Sequence, residues 1–175
     1  MMKSTTPLVG ILIGSDSDLA VMGESARVLG DFGVPCEMTV ASAHRSPERV
    51  SRYAASVEKR GIQVLIAGAG GAAHLAGVLA SLTTVPVIAV PLASSPLGGF
   101  DALLASVQMP PGVPVAVTSV GAWGARNAAI LAVQILATSD RALRRKLVEH
   151  KRKMAAEIDK KARQLAGGGP ARPRR

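Results

Sequence analysis

A histidine and an arginine stand side by side at positions 44 and 45, within residues 41–47, which read Ala-Ser-Ala-His-Arg-Ser-Pro. Histidine is the side chain that most readily exchanges a proton near neutral pH, so His44 is a candidate proton carrier. Arg45 can form charge-assisted hydrogen bonds to an anionic group such as a phosphate. The free backbone amides at the start of a helix favour an anion in the same place. The pair therefore predicts proton transfer on an anionic substrate.

The surrounding pattern places this pair where a strand gives way to a helix. Residues 36–40 are typical of a short strand, and Ser46 is predicted to cap a helix whose first turn contains Pro47. Apolar side chains then recur at helical spacing. We therefore expect His44 and Arg45 on a strand-to-helix loop, which is where α/β folds bind ligands.

A second loop with unusual residues follows the first predicted strand and reads Gly-Ser-Asp-Ser-Asp over residues 14–18. Hydroxyls and carboxylates at the start of a helix have an ordinary explanation as N-caps. In the functional alternative, Ser15 and Ser17 bind a phosphate and Asp18 accepts hydrogen bonds from sugar hydroxyls. Asp16 is expected to point away, because a second carboxylate would repel the phosphate. Both explanations stay open at this stage.

A third loop follows the predicted strand at 63–67 and reads Gly-Ala-Gly-Gly-Ala-Ala-His-Leu over residues 68–75. Its glycines let the backbone approach a ligand or a helix closely. The segment matches neither the dinucleotide fingerprint nor the P-loop lysine pattern, so a nicotinamide or ATP site is not expected. His74 either bonds a nearby carbonyl or shares a site with His44.

Apolar, β-branched runs alternate with helical patterns along the chain. The predicted strands span 8–13, 36–40, 63–67, 85–90 and 114–118, and the apolar stripes of the helices fall within 19–29, 50–57, 73–82, 100–107, 125–138 and 141–166. This alternation predicts a three-layer αβα fold with a doubly wound parallel sheet of five strands. The flavodoxin-like order 2-1-3-4-5 makes the three unusual loops neighbours at the carboxyl edge of the sheet, so they are expected to form one site.

The length of 175 residues and the hydrophobic content of 48% suit one domain, predicted over residues 1–166. Residues 167–175, rich in Gly, Pro and Arg, are predicted to be a disordered basic tail. The single cysteine, Cys36, excludes an internal disulfide. The chain has neither a signal-peptide pattern nor an apolar run of about 18 residues, so we expect a cytoplasmic protein without membrane contact.

The net charge of +9 is unevenly distributed. Residues 1–140 contain 8 Lys and Arg against 9 Asp and Glu, whereas residues 141–175 contain 13 against 3. The basic part has no aromatic residues that could stack on bases, so a solvated helix face or an intersubunit surface is expected rather than a nucleic-acid site. His150 is expected to be a solvated residue of this helix.

Other classes of chemistry lack support in the sequence. The spacing of His, Cys, Asp and Glu predicts no metal site. The chain has no Gly-x-Ser-x-Gly elbow, so hydrolysis by a Ser-His-Asp triad is not expected.

Taken together, residues 14–18, 42–47 and 67–75 closely resemble class I PurE, the family of N5-carboxyaminoimidazole ribonucleotide mutases of bacterial purine synthesis. The likeness continues through residues 84–87, 107–110, 112–115 and 127–132, and it covers roughly residues 8–150 without obvious gaps. The resemblance implies the flavodoxin-like sheet and a homo-octamer, which would explain the nearly all-apolar helix from Ala125. Trp123 and Arg126 stand where smaller or more variable residues are expected.

The same resemblance implies an isomerase that moves a carboxyl group from an exocyclic nitrogen to ring carbon C4 without a metal or organic cofactor. It assigns the proton transfers to His44, phosphate binding to Arg45, Ser15 and Ser42, and ribose binding to Asp18. The implied substrate-binding residues are Ser15, Ser17, Asp18, Ser42, Ala43, Arg45, Gly70, Gly71, His74 and Leu75. The alternatives are an aminoimidazole ribonucleotide carboxylase that takes free carbon dioxide and a non-catalytic nucleotide-binding subunit.

Overall fold

Five parallel strands form the centre of the fold in the computed structural model, which describes residues 6–167. The strands are β1 (Val9–Ile13), β2 (Cys36–Val40), β3 (Val64–Gly70), β4 (Val87–Leu92) and β5 (Ala116–Val117). Their order in the sheet is β2-β1-β3-β4-β5. The predicted α/β fold and its strand order are therefore confirmed.

Six helices connect and cover the strands. They are α1 (Leu19–Phe32), α2 (Pro47–Ser56), α3 (His74–Leu82), α4 (Phe100–Val107), α5 (Ala122–Leu136) and α6 (Arg141–Gly167), and a 3₁₀ turn (Asp16–Asp18) precedes α1. Helix α6 includes Gly167, the first residue of the predicted tail, and residues 168–175 lie outside the described residues. Within residues 6–167, no helix is both long and apolar enough to cross a membrane.

Two hydrophobic cores lie on the two faces of the sheet. Val9, Ile11 and Ile13 of β1 face the core formed with α1 and α5. Leu12 faces the opposite core, formed with α2 and α3. Both sets are buried because helices cover both faces of a parallel sheet, which is why its strands are continuously apolar.

Helix α5 packs against α1 and the sheet through alanines. Ala125, Ala128, Ala129 and Ala132 are fully buried there. Such small side chains let the helix backbone come close to its neighbours, and the buried Ser25 hydroxyl of α1 donates a 2.7 Å hydrogen bond to the Ala125 carbonyl. The apolar residues of α5 are thus largely buried within one copy of the chain, so assembly is not needed to explain them.

The glycine run after the third predicted strand differs from expectation. Gly68, Ala69 and Gly70 belong to β3 rather than to a loop, because this strand continues to pair with β4 up to Leu92. A Cβ atom on Gly68 would stand 2.6 Å from the Met22 sulfur of α1. Glycine here therefore allows close packing of helix on strand, and the turn itself begins only after Gly70.

Candidate active site

A cavity of about 270 Å³ opens at the carboxyl edge of the sheet, where the loops after β2, β1 and β3 meet. Ten of the eleven predicted site residues line it: Ser15, Ser17, Asp18, Ser42, Ala43, His44, Arg45, Gly70, His74 and Leu75. The exception is Gly71, which lies in the turn between β3 and α3 with a φ of 59°. The individual binding roles of these residues stay predictions.

Four further residues line the cavity but were not among the predicted site residues: Gly14, Ala69 and Ala73, which belong to the predicted loops, and Ser94, which does not. Ser94 follows β4, which is the neighbour of β3 in the sheet. The sequence feature that could have indicated Ser94 is the Ala-Ser-Ser segment directly after an apolar strand. Polar residues at that position border the same edge once the strand order is known.

The two histidines of the cavity are in direct contact. Nε2 of His44 lies 2.6 Å from Nδ1 of His74, and the two rings meet edge to face with 4.7 Å between their centroids. A hydrogen bond at this distance requires one proton between the two nitrogens, so one ring donates and the other accepts. His74 therefore bonds His44 rather than a carbonyl, and the pair can hold a mobile proton within the cavity.

Ser46 shapes the loop that carries His44 and Arg45. It occupies the N-cap position of α2, but its side chain makes no capping hydrogen bond to the helix, so the predicted side-chain cap is wrong. Instead, its hydroxyl accepts a 3.0 Å hydrogen bond from the Ser42 amide and donates one of 3.2 Å to the Ser42 carbonyl. The backbone bond from Ser46 N to Ser42 O brings these groups within reach. The serine thus closes the loop around the two candidate functional residues.

Arg45 links two of the converging loops. Its guanidinium donates a 2.9 Å hydrogen bond to the carbonyl of Gly14 and a longer one, of 3.4 Å, to the Ser42 hydroxyl. A guanidinium has five N–H groups, so donors remain for an anion in the cavity. The positive charge is thereby fixed beside the loops that contain Ser15 and Ser42.

The two acidic residues of the loop after β1, Asp16 and Asp18, have different surroundings. The Asp16 carboxylate accepts hydrogen bonds from the Ser17 amide and the Ser15 hydroxyl, and Asp16 does not line the cavity. Asp18 lines the cavity and makes no capping hydrogen bond to α1. Local capping thus falls to Ser15 and Asp16, while the Asp18 carboxylate faces the cavity.

Burial raises the pKa of Asp18 above its ordinary value of 3.8. The residue is only 8% exposed, and desolvation disfavours the charged carboxylate. At pH values between the pKa of Asp18 in the unfolded chain and its raised pKa in the folded chain, the folded chain binds the proton more tightly than the unfolded chain. The free energy of unfolding therefore falls as the pH rises through this window.

We expect Asp18→Asn to raise the free energy of unfolding at pH 7, because the amide has nearly the same shape and no charge to desolvate. The gain should vanish below pH 3.8, where the unfolded carboxyl of the parent is also protonated. Urea unfolding of both proteins across this pH range measures the difference. A variant that is less stable than its parent at pH 7 would contradict the argument.

The remaining histidine lies outside the cavity. His150 of α6 was expected to be solvated, but it is half-buried and its ring packs against Phe32 of α1 with 5.4 Å between the centroids. The expectation was wrong because α6 lies against the end of α1, where Lys146 also donates a hydrogen bond to the Phe32 carbonyl. Within the described part of the chain, no three His, Cys, Asp or Glu side chains are arranged to hold a metal ion.

Comparison with known proteins gives concordant results. The sequence model of the family described as AIR carboxylase matches residues 8–157. The N5-carboxyaminoimidazole ribonucleotide mutase of Pyrococcus horikoshii is 54% identical over 94% of this chain and 92% of its own length. The corresponding mutase of Thermotoga maritima is 51% identical over 91% of this chain and 92% of its own length.

A relative with a different described activity is the phosphoribosylaminoimidazole carboxylase of Saccharomyces cerevisiae. It is 52% identical over 91% of this chain, which covers 28% of that longer protein. Among solved structures, the crystal structure of Treponema denticola PurE superposes with a TM-score of 0.83 at 28% identity, covering 91% of this chain and 98% of the other.

Proposed function

This chain belongs to the AIR carboxylase family and is an N5-carboxyaminoimidazole ribonucleotide mutase of purine biosynthesis, and we propose that His44 is the proton carrier of its reaction. The observation that supports this role is the 2.6 Å contact between His44 and His74 inside the cavity. The other ionisable side chains that line the cavity are Asp18 and Arg45. Arginine does not give up its proton in proteins. Histidine is the side chain whose ordinary pKa lies nearest neutral pH, so the histidines are better suited to proton exchange than a carboxylate or a guanidinium.

In the proposed mechanism, one proton leaves His44 and later returns. Protonated His44 gives a proton to the exocyclic carbamate nitrogen, and the bond between this nitrogen and the carboxyl carbon breaks. The bonding electrons stay on nitrogen, and the carboxylate leaves as carbon dioxide. Ring carbon C4, made electron-rich by the amine, then attacks the carbon dioxide and forms a carbon–carbon bond. Neutral His44 removes the C4 proton, which restores the aromatic ring and the starting state of the histidine.

The contact with His74 fits such a cycle. When His44 carries protons on both ring nitrogens, its Nε2–H can donate to Nδ1 of a neutral His74 whose own proton is on Nε2. The other N–H of His44 is then free to face the substrate. His74 thus orients the ring of His44, as second groups commonly orient a catalytic base.

The loops after β1 and β2 are proposed to bind the ribose phosphate. The Arg45 guanidinium lies beside the Ser42 hydroxyl and the Gly14 carbonyl, so a phosphate there would receive charge-assisted hydrogen bonds. The Ser15 hydroxyl lines the same cavity, and the Asp18 carboxylate can accept hydrogen bonds from ribose hydroxyls. Gly70, His74 and Leu75 would then lie along the base.

The source of the new carboxyl carbon tests this function. With unlabelled carbamate substrate in labelled bicarbonate, we expect little label in the C4-carboxylate during early turnovers, because the carbon released from nitrogen is the one captured by C4. Aminoimidazole ribonucleotide with bicarbonate should be a poor substrate pair, since free carbon dioxide then lacks a covalent carrier. Mass spectrometry of the product measures the incorporation.

The alternative to direct transfer is carboxylation by free carbon dioxide, and the 52% identity with the yeast phosphoribosylaminoimidazole carboxylase is the observation in its favour. Label incorporation that keeps pace with product formation from the first turnovers would establish that activity. It would overturn the direct carboxyl transfer while leaving the nucleotide site unchanged.

We also propose that the chain acts as a homo-oligomer, an octamer, in the cytoplasm. Large apolar side chains remain exposed on and beside α4 and at the start of α5: Leu97, Phe100, Leu104, Val107 and Trp123. Exposed apolar groups of this kind mark interaction surfaces. The single cysteine supports the location, since an oxidising compartment favours disulfides that this chain cannot form internally.

A further inference from the structure

Ser94 is the one residue of the described cavity lining that comes from the loop after β4. In the sheet, β4 lies beyond β3, whereas Arg45 follows β2 at the opposite side of β1. Ser94 and Arg45 therefore approach the cavity from opposite sides. If the Arg45 side binds the phosphate, as proposed above, the Ser94 side faces the base and the carboxyl group.

The Ser94 hydroxyl occupies space that any side chain at position 70 other than glycine would fill. A Cβ atom on Gly70 would stand 1.8 Å from Ser94 Oγ and 3.0 Å from the Leu92 carbonyl oxygen. The hydroxyl thus lies directly against the end of β3, a few residues before His74. The glycine at position 70 therefore leaves room for this hydroxyl in the lining of the cavity, to which His74 also belongs.

The hydrogen bonds of the loop distinguish Ser94 from its neighbour. The Ser95 hydroxyl accepts a 3.2 Å hydrogen bond from the Leu97 amide. Ser95 also lies beside the Asp101 carboxylate and lowers the pKa of that group. Among the residues that the structure describes, the Ser94 hydroxyl makes no hydrogen bond to protein. Ser95 therefore holds the loop in shape, and the Ser94 hydroxyl keeps its donor and acceptors for a ligand.

We propose that Ser94 binds the migrating carboxyl group. Its hydroxyl donates a hydrogen bond to an oxygen of the carbamate, keeps hold of the same oxygen in the released carbon dioxide, and bonds the new C4-carboxylate. Ser94 gains and loses no proton in this cycle. This assignment rests on the proposed direct transfer of the carboxyl group, and it makes Ser94 a residue that retains carbon dioxide rather than one that binds the nucleotide as a whole.

The test compares Ser94→Ala with the matched control Ser95→Ala. For Ser94→Ala we expect kcat to fall roughly 10- to 100-fold, as for the loss of a hydrogen bond to a charged group. We also expect a several-fold rise in the share of product carboxyl that comes from labelled bicarbonate. Affinity for aminoimidazole ribonucleotide, which lacks the carboxyl group, should stay unchanged. Ser95→Ala should lower thermal stability without changing the share of label.

The outcomes separate the two proposals. If the parent protein retains its carboxyl carbon and Ser94→Ala retains it equally with unchanged kcat, the role of Ser94 is overturned and direct transfer stands. If the parent itself incorporates label in step with product, direct transfer is wrong, and the role of Ser94, which rests on it, is overturned as well. A Ser94→Ala variant that weakens binding of aminoimidazole ribonucleotide as strongly as it lowers kcat would indicate a general structural role and also overturn the proposal. Ser94 is exposed, so its truncation should leave folding intact.

Discussion

The His44→Asn variant is expected to lose about 10²- to 10⁴-fold of its turnover, which is the contribution that a positioned acid–base group typically makes. Asparagine keeps a polar amide in the cavity but cannot give and take a proton near neutral pH. Affinity for the ribonucleotide should stay within a few-fold, because the phosphate and ribose are assigned to Arg45 and Asp18. The loss should therefore appear in kcat and leave KM nearly unchanged.

The same substitution at the histidine outside the cavity provides the control. His150 packs against Phe32, so His150→Asn can lower stability but should leave turnover unchanged. Steady-state kinetics of both variants, with substrate binding measured separately by calorimetry, completes the comparison. Turnover of His44→Asn within a few-fold of the parent would show that another group carries the proton.

Gly124→Ala is expected to have the largest effect on stability. Gly124 is buried in the first turn of α5, where a Cβ atom would stand 1.6 Å from the Ser119 carbonyl oxygen. The Thr118 amide donates to the Ala89 carbonyl, and the Gly121 amide donates to the Pro91 carbonyl. The Thr118 hydroxyl, with one proton to donate, lies 3.0 Å from the Gly124 carbonyl oxygen and 3.2 Å from that of Ala89. The loop before α5 is thus bonded to both β4 and the helix, so it cannot move aside without losing hydrogen bonds.

The extra methyl group should lower the free energy of unfolding by about 1–3 kcal/mol or more, as overpacking does at well-packed sites. Gly23→Ala is the matched control, since Gly23 lies within α1 and a Cβ there would meet nothing within 4 Å. Alanine favours a helix over glycine by about 1 kcal/mol, so this variant should gain stability. Urea unfolding measures both, and a Gly124→Ala variant as stable as the parent would refute the steric argument.

Periodicity was sufficient to predict the fold because the strands of a doubly covered parallel sheet are apolar throughout. It could not predict where β3 ends. Gly68 and Gly70 have the residue type of a turn, yet strand pairing with β4 and the close approach of Met22 place them in the sheet. Strand pairing is a tertiary contact, so it cannot be predicted from the sequence of one segment alone.

The candidate site was predictable to the extent that it depends on strand order. The order 2-1-3 brings the loops of His44 and His74 to opposite sides of β1, and the side chains meet across it. Ser94 was missed because serines after a strand are common, and its packing against Gly70 is a tertiary contact that only the structure shows. The role of Ser46 was missed for a similar reason, since a capping serine and a loop-closing serine occupy the same sequence position.

Trp123 gives this chain an optical property that follows from its position. It is the only tryptophan, and 76% of its surface is exposed in the single copy. An indole that is already in water changes its fluorescence little when the chain unfolds, whereas burial against another copy shifts the emission to shorter wavelengths. If the proposed oligomer buries Trp123, its intrinsic fluorescence would report association of the subunits, and we would then expect a shift toward longer wavelengths on dilution.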